Sequence, residues 1–224
     1  MHDILIQGGT VVDGTGVPAR QADVAVRGGR IVAVGSGLGA AHRVIDATGL
    51  LVTPGFVDIH THYDGQATWD AKLTPSCWHG VTTAVFGNCG VGFAPVKPGA
   101  RDYLINLMEG VEDIPGTVLA EGISWSWESF PEYLDALERR HYTMDIGAQL
   151  PHAALRFYAM GERGAEHQAR PTEAELAQMG TLAEEALRAG ALGITTSRTI
   201  KHRARDGRYT PSLTAAEPEL FAIA

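Results

Sequence analysis

A chain of 224 residues is long enough for one sizeable domain or two small ones, and its 45% apolar and 20% charged residues argue against disorder. Eighteen basic against 26 acidic side chains leave a net charge of −8, a sign that repels a phosphate backbone, so nucleic acid is not an expected partner. No apolar run approaches the roughly 18 residues of a membrane span, Met1-His2-Asp3 lacks the basic start of a signal peptide, and two cysteines, Cys77 and Cys89, suit a reducing compartment, so a soluble cytoplasmic protein without a membrane partner is expected.

Short alternating strands are predicted at 3–7, 10–13, 22–27 and 30–34, with Gly28-Gly29 as a two-residue hairpin turn because both turn positions need positive φ. Residues 1–52 thus read as a small β module. From about Leu51 the texture changes. A fully apolar strand with Phe56, Val57 and Ile59 ends in polar residues, a helical stretch follows, and Val81 to Phe86 is the next strand. Ser129-Phe130-Pro131-Glu132 is a capping-box pattern opening a helix to about Arg140, before a strand over 144–150. Thr172-Glu173-Ala174-Glu175 is a second capping box, its helix stopped by Gly190; a strand over 191–196 and a last helix over 213–224 complete the run.

Four βα units after a β module point to an α/β fold, a parallel sheet or a (β/α)8 TIM-like barrel. A whole barrel takes roughly 250 residues, so residues 53–224 supply about the first four units of an incomplete barrel domain. The apolar end Phe221-Ala222-Ile223-Ala224 reads as a truncated frame, against the alternative of a small protein ending in a buried helix.

The chemistry concentrates in Pro54-Gly55-Phe56-Val57-Asp58-Ile59-His60-Thr61-His62. Alternate strand residues point the same way, so His60 and His62 project two imidazoles from the C-terminal end of one buried strand, where a neutral pair can bind a metal. Exposed histidines at a strand end are the plainer reading. After the next strand, Gly87-Asn88-Cys89-Gly90 places a thiol that can ligate the same ion or bridge two; a buried inert cysteine is the alternative. Cys77, beside Trp78 in a predicted helix, reads as core.

The run from Asp46 to His62 resembles the amidohydrolase superfamily, and Gly80-Val81-Thr82-Thr83 with Gly87-Asn88-Cys89-Gly90-Val91-Gly92-Phe93-Ala94-Pro95 resembles its N-acyl-D-amino-acid deacylase (D-aminoacylase) branch. The likeness extends through Glu112-Asp113-Ile114-Pro115-Gly116 and Ala189-Gly190-Ala191-Leu192-Gly193-Ile194. It implies that residues 1–52 are the N-terminal part of a β-sandwich, and that one or two zinc ions assist hydrolysis of linear amides, most specifically deacylation of small N-acyl-D-amino acids. Many relatives bridge two metals with a carboxylated lysine on the fourth strand; Lys72, Lys97 and Lys201 are poorly placed for this, and Cys89 stands where the deacylase branch uses cysteine. Two later histidines and the aspartate general acid/base of the family belong to strands beyond Ala224.

Weaker candidates surround these residues. His152 after the third strand can face the site as a donor to a ligand or substrate; Tyr209 lies where relatives place a substrate-contacting tyrosine; Arg198, His202 and Arg203 can hold a substrate carboxylate or form a solvated cluster. Asp58 can hydrogen-bond a ligand, while Asp64 and Asp70 read as loop acids or helix caps. The competing functions are a cyclic-amide hydrolase of the dihydroorotase or hydantoinase kind, and a non-catalytic fragment whose half-barrel leaves open sheet edges. The oligomeric state is left open.

Overall fold

In the computed structural model, which describes residues 1–224, the chain divides into two units, Met1–Gly55 and Phe56–Ala224. The first is one mixed sheet of β1 (His2–Val11), β2 (Arg20–Arg27), β3 (Arg30–Gly35), β4 (Ala41–Asp46) and β5 (Leu51–Val52). The order is β3-β2-β1-β4, with β5 also pairing β1; β2 is antiparallel to its neighbours, whereas β4 and β5 run parallel to β1. The two strands predicted at 3–7 and 10–13 are one, bent by a register shift between Ile6 and Gly9, where Gly8 N–H donates to Asp23 Oδ1 at 2.9 Å. Gly28 and Gly29 take the predicted positive φ of 57° and 72°. Val11, Ala22 and Val24 form a small core, with Ile6 and Val52 packed on it. Strand β4 was not expected, since its apolar Val44 and Ile45 are adjacent and do not alternate with its polar residues.

The second unit alternates parallel strands with helices. β6 (Phe56–Asp58), β7 (Val81–Phe86) and β8 (Asp145–Ala148) form one parallel sheet in that order; β9 (Leu150–Pro151) continues the run of β8 and pairs in parallel with β10 (Ile194–Thr195). Both capping boxes form: Ser129 opens α3 (Phe130–Glu138) and Thr172 opens α5 (Glu173–Ala189), each side chain accepting from the backbone N–H three residues on while that residue's glutamate reaches back. Gly190 ends α5 at φ 113°, as glycine does where a side chain would clash. The final helix, α6 (Glu217–Ile223), starts four residues later than expected.

Three features depart from the sequence reading. The helical stretch after His62 is only two single turns, Gln66–Thr68 and Ser76–His79, cut by the Asp70 turn and ended by Gly80 in the left-handed region. Cys77 lies on the second turn, half-buried against the core, while its neighbour Trp78 is exposed. Strand β6 is not buried: Phe56, Val57 and Ile59 are 62%, 58% and 72% exposed, because β6 pairs with β7 alone and nothing covers its faces. Helices α1 (Arg101–Glu112), α2 (Gly116–Gly122) and α4 (His152–Met160) were not anticipated. Helix α4 is buried on nearly every side, so it carries no apolar stripe to read. Gly110 interrupts the pattern of α1, yet a Cβ there would lie 2.2 Å from the backbone of Ala204 and Arg205, so the glycine permits close packing. The core contains Phe86, Phe93, Leu104, Leu107, Met108, Leu119, Leu150 and Leu155, each worth roughly 1.5–3 kcal/mol of burial.

Candidate metal centre

The chain leaves β6 at Asp58, whose Oδ1 accepts the backbone N–H of His60 at 3.2 Å. Thr61 then anchors the segment to the end of β7: both its backbone N–H and its hydroxyl donate to Val85 O at 2.9 Å. His60 and His62 therefore lie just past the strand and not on it, with ring centroids 5.4 Å apart and the rings tilted by 60°. The expected hydrogen bond from Asp58 to a ligand residue thus reaches the His60 backbone N–H.

Beyond β7 the chain reverses over Gly87-Asn88-Cys89-Gly90. Gly87 has φ 83°, and a Cβ there would lie 2.1 Å from Gln149 O, so only glycine fits. Cys89 itself takes a left-handed φ of 54°, which aims its thiol at the histidines: Sγ lies 3.3 Å from His60 Nε2. One donor atom each from His60, His62 and Cys89 falls within 4.8 Å of the others. Tetrahedral zinc with bonds of about 2.0–2.3 Å holds its nitrogen and sulfur donors about 3.5 Å apart, so this spacing and the N, N, S donor set fit zinc. His62 Nδ1 is buried without a hydrogen-bond partner, as expected for a group whose partner is a ligand.

Two carboxylates flank these residues. Glu112, on the last turn of α1, places Oε1 3.2 Å from His62 Nε2. Burial pushes His62 down to about 4, helped by the charges of His60 and His202. Burial likewise pushes Glu112 up to about 7, so at neutral pH the pair is no ordinary ion pair and the imidazole keeps a free lone pair. Asp64 is a loop acid as expected, but a buried one: 3% exposed, it is raised to about 7 by burial, and its Oδ2 has no partner. Without a cation, burial and then the nearby Glu112 charge push the Cys89 thiol up to about 11. Sequence reasoning missed Glu112, although Pro115-Gly116 just beyond it marks a helix end. Asp70 does organise a turn, accepting from Lys72 N and Thr74 N.

The weaker candidates are engaged with other groups or exposed. His152 is fully buried: Nδ1 meets Thr196 Oγ1 at 2.9 Å and Nε2 meets Glu219 Oε1 at 3.0 Å, so it has no free nitrogen for substrate, contrary to expectation. Arg203 and Tyr209 face each other across an antiparallel bridge; the guanidinium stacks 3.9 Å over the ring, and Nη2 donates to the phenol oxygen at 2.6 Å. These two residues engage each other here, and Arg198 is exposed. His202, in the same loop, accepts from or donates to Ser197 Oγ through Nδ1 at 2.8 Å.

Comparison with known proteins matches residues 43–224 to the Amidohydrolase family. The D-aminoacylase of Alcaligenes xylosoxydans xylosoxydans is 39% identical over 222 residues, covering 99% of this chain and 41% of that protein. The N-acyl-D-aspartate deacylase of the same organism is 38% identical over 198 residues, 87% of this chain and 36% of that protein. Among solved structures, a D-aminoacylase studied for its binuclear metal centre aligns with TM-score 0.79 and 36% identity over 100% of this chain and 42% of its own. The N-acyl-D-glutamate deacylase from Bordetella bronchiseptica, solved with zinc and a phosphonate inhibitor, aligns at 0.76 and 34% over the same shares. The chain thus spans about two-fifths of the length of these relatives. With residues 43–224 matched by the family's model, this chain belongs to the Amidohydrolase family.

Proposed function

We propose that this chain is part of a metal-dependent hydrolase of linear amide C–N bonds that deacylates N-acyl-D-amino acids, with zinc held by His60, His62 and Cys89. The convergence of three soft or borderline donors within 4.8 Å carries this reading. Zinc there supplies a Lewis acid for the amide carbonyl and lowers the pKa of water toward about 7. The chain's own residues hold and tune the ion. The buried, neutral imidazole of His62 presents a nitrogen at pH 7, and the left-handed turn at Cys89 delivers the sulfur. Glu112 closes one side, with Oε1 against His62 Nε2.

In the same proposal β6, β7, β8 with β9, and β10 are the first four strands of a (β/α)8 barrel whose ligands lie at their C-terminal ends, and residues 1–52 belong to a β-sandwich. The parallel pairing supports it. So does the exposure of Phe56, Val57 and Leu192, at 58–63%, which suits strands that pair further. The proton-shuttling aspartate is assigned to a strand outside these residues. Arg203 and Tyr209 are proposed to turn to a substrate carboxylate when the site is complete. The substrate is a small molecule in the cytoplasm; no helix is long and apolar enough to cross a membrane.

The test is zinc content per chain of the natural protein, measured together with hydrolysis of a panel of N-acetyl-D-amino acids. Bound zinc and turnover that both vanish in His60→Ala and Cys89→Ala are expected. Turnover on cyclic amides alone would replace this reading with a cyclic-amide hydrolase, and metal-independent turnover would overturn it.

A further inference from the structure

The two ligand-bearing segments come from different strand ends, and beside the Thr61 bonds to Val85 O a second side chain joins them. Asn88, 6% exposed, donates through Nδ2 to Thr61 O at 3.1 Å and to Val85 O at 3.0 Å. Thr61 lies between His60 and His62, and Asn88 directly precedes Cys89. The amide is held in this orientation by Gln149, whose Nε2 donates to Asn88 Oδ1 at 2.9 Å while its backbone N–H donates to Phe86 O, also at 2.9 Å. On the other side of the cysteine, Thr195 Oγ1 accepts from Gly90 N–H at 3.1 Å and donates to Gly87 O.

The sequence singles out Asn88 only as part of Asn-Cys-Gly, and nothing in the ligand chemistry requires an amide at that position. A residue there could be replaced by any polar side chain if its task were solvation, but it is buried with all its polar capacity directed inward. Both of its donor hydrogens end on carbonyls of the two segments that must stay in register, and its acceptor is used to stop it from flipping. We infer that Asn88, locked by Gln149, is a positioning residue that fixes the separation of the Cys89 thiol from the His60 and His62 imidazoles and thereby sets metal affinity. The inference rests on the reading of those three residues as ligands. Loss of such supporting hydrogen bonds typically weakens a metal site about 10–100-fold.

The natural protein, stripped and reloaded with cobalt(II), reports this directly. Cobalt affinity comes from competition with a chelator, and the thiolate-to-cobalt charge-transfer band reports whether sulfur is bound. Asn88→Ala is expected to bind cobalt about 10–100-fold more weakly and, at saturation, to show a diminished charge-transfer band beside intact ligand-field bands. Gln149→Glu leaves Asn88 in place but sets a carboxylate oxygen against Oδ1, which replaces the hydrogen bond that locks the amide with a repulsion. It is expected to lose affinity in the same direction, and it decides the matter if Asn88→Ala does not fold. Wild-type affinity and band in Gln149→Glu, or in a folded Asn88→Ala, overturn the inference. Cys89→Ala separates the underlying reading: if the wild-type band is absent or survives that substitution, the ligand assignment itself fails.

Discussion

Two clusters of buried polar groups in the second unit differ in one respect, and the difference separates scaffold from site. In the first, Arg156 donates through Nη1 to both Glu219 oxygens at 2.6 and 2.7 Å and through its other nitrogens to the Gly164, Glu166 and Ala169 carbonyls, while His152 closes on Glu219. Burial alone would raise Glu219, but the His152 hydrogen bond and the Arg156 charge outweigh it and hold the carboxyl low. Around His60, His62 and Cys89, burial prevails instead: both carboxyls rise to about 7, the imidazole of His62 falls to about 4, and His62 Nδ1 and Asp64 Oδ2 have no partner. The first network is satisfied throughout, whereas the second leaves two polar atoms unpartnered beside the three candidate ligands.

The sharpest way to break this contrast is to unpair the first cluster. Arg156→Met leaves Glu219 buried with its charge largely uncompensated and is expected to cost about 3–5 kcal/mol in chemical denaturation, with little effect on the metal affinity of the protein that remains folded. In the second cluster the sign reverses. Asp64 has a folded pKa above its ordinary value of 3.8, so its protonated form favours folding at low pH and that advantage is lost as pH rises toward about 7. Asp64→Asn in the chelated protein should therefore gain stability relative to wild type between pH 4 and 7.5, by on the order of 2–4 kcal/mol. A flat difference across that range would show that the carboxyl is solvated.

Metal removal offers a third measure. A site saturated at 100 times its dissociation constant adds about 2.7 kcal/mol, so chelation should lower the melting temperature of wild type but not of a His62→Ala variant. The smallest effect concerns neither cluster: Ser129→Ala removes the cap of α3 and should cost about 1 kcal/mol, with zinc content unchanged.

Much of this architecture is legible in local sequence, where one residue carries one decisive preference. The capping boxes at Ser129 and Thr172, the stop at Gly190 and the Gly28-Gly29 turn all form because each depends on neighbours within a few residues. The convergence of His60, His62 and Cys89 is legible for the same reason, since His-x-His and Asn-Cys-Gly each sit at the end of an apolar run. Helix α4 is not, because burial all round erases its period, and β6 misleads because an apolar strand reads the same whether or not its faces are covered. Glu112, Asp64 and the Asn88–Gln149 bond are set by tertiary contacts between segments up to about sixty residues apart, which no local pattern encodes.

The left-handed backbone at Cys89 places two selective pressures in opposition. Glycine would adopt φ 54° without the penalty that a side-chain-bearing residue incurs, of order 1–3 kcal/mol. A search for thermal robustness alone would therefore drift toward glycine at this position and discard the sulfur. On the proposed reading of Cys89 as a ligand, the sulfur donor therefore comes at the cost of a strained backbone that glycine would relieve.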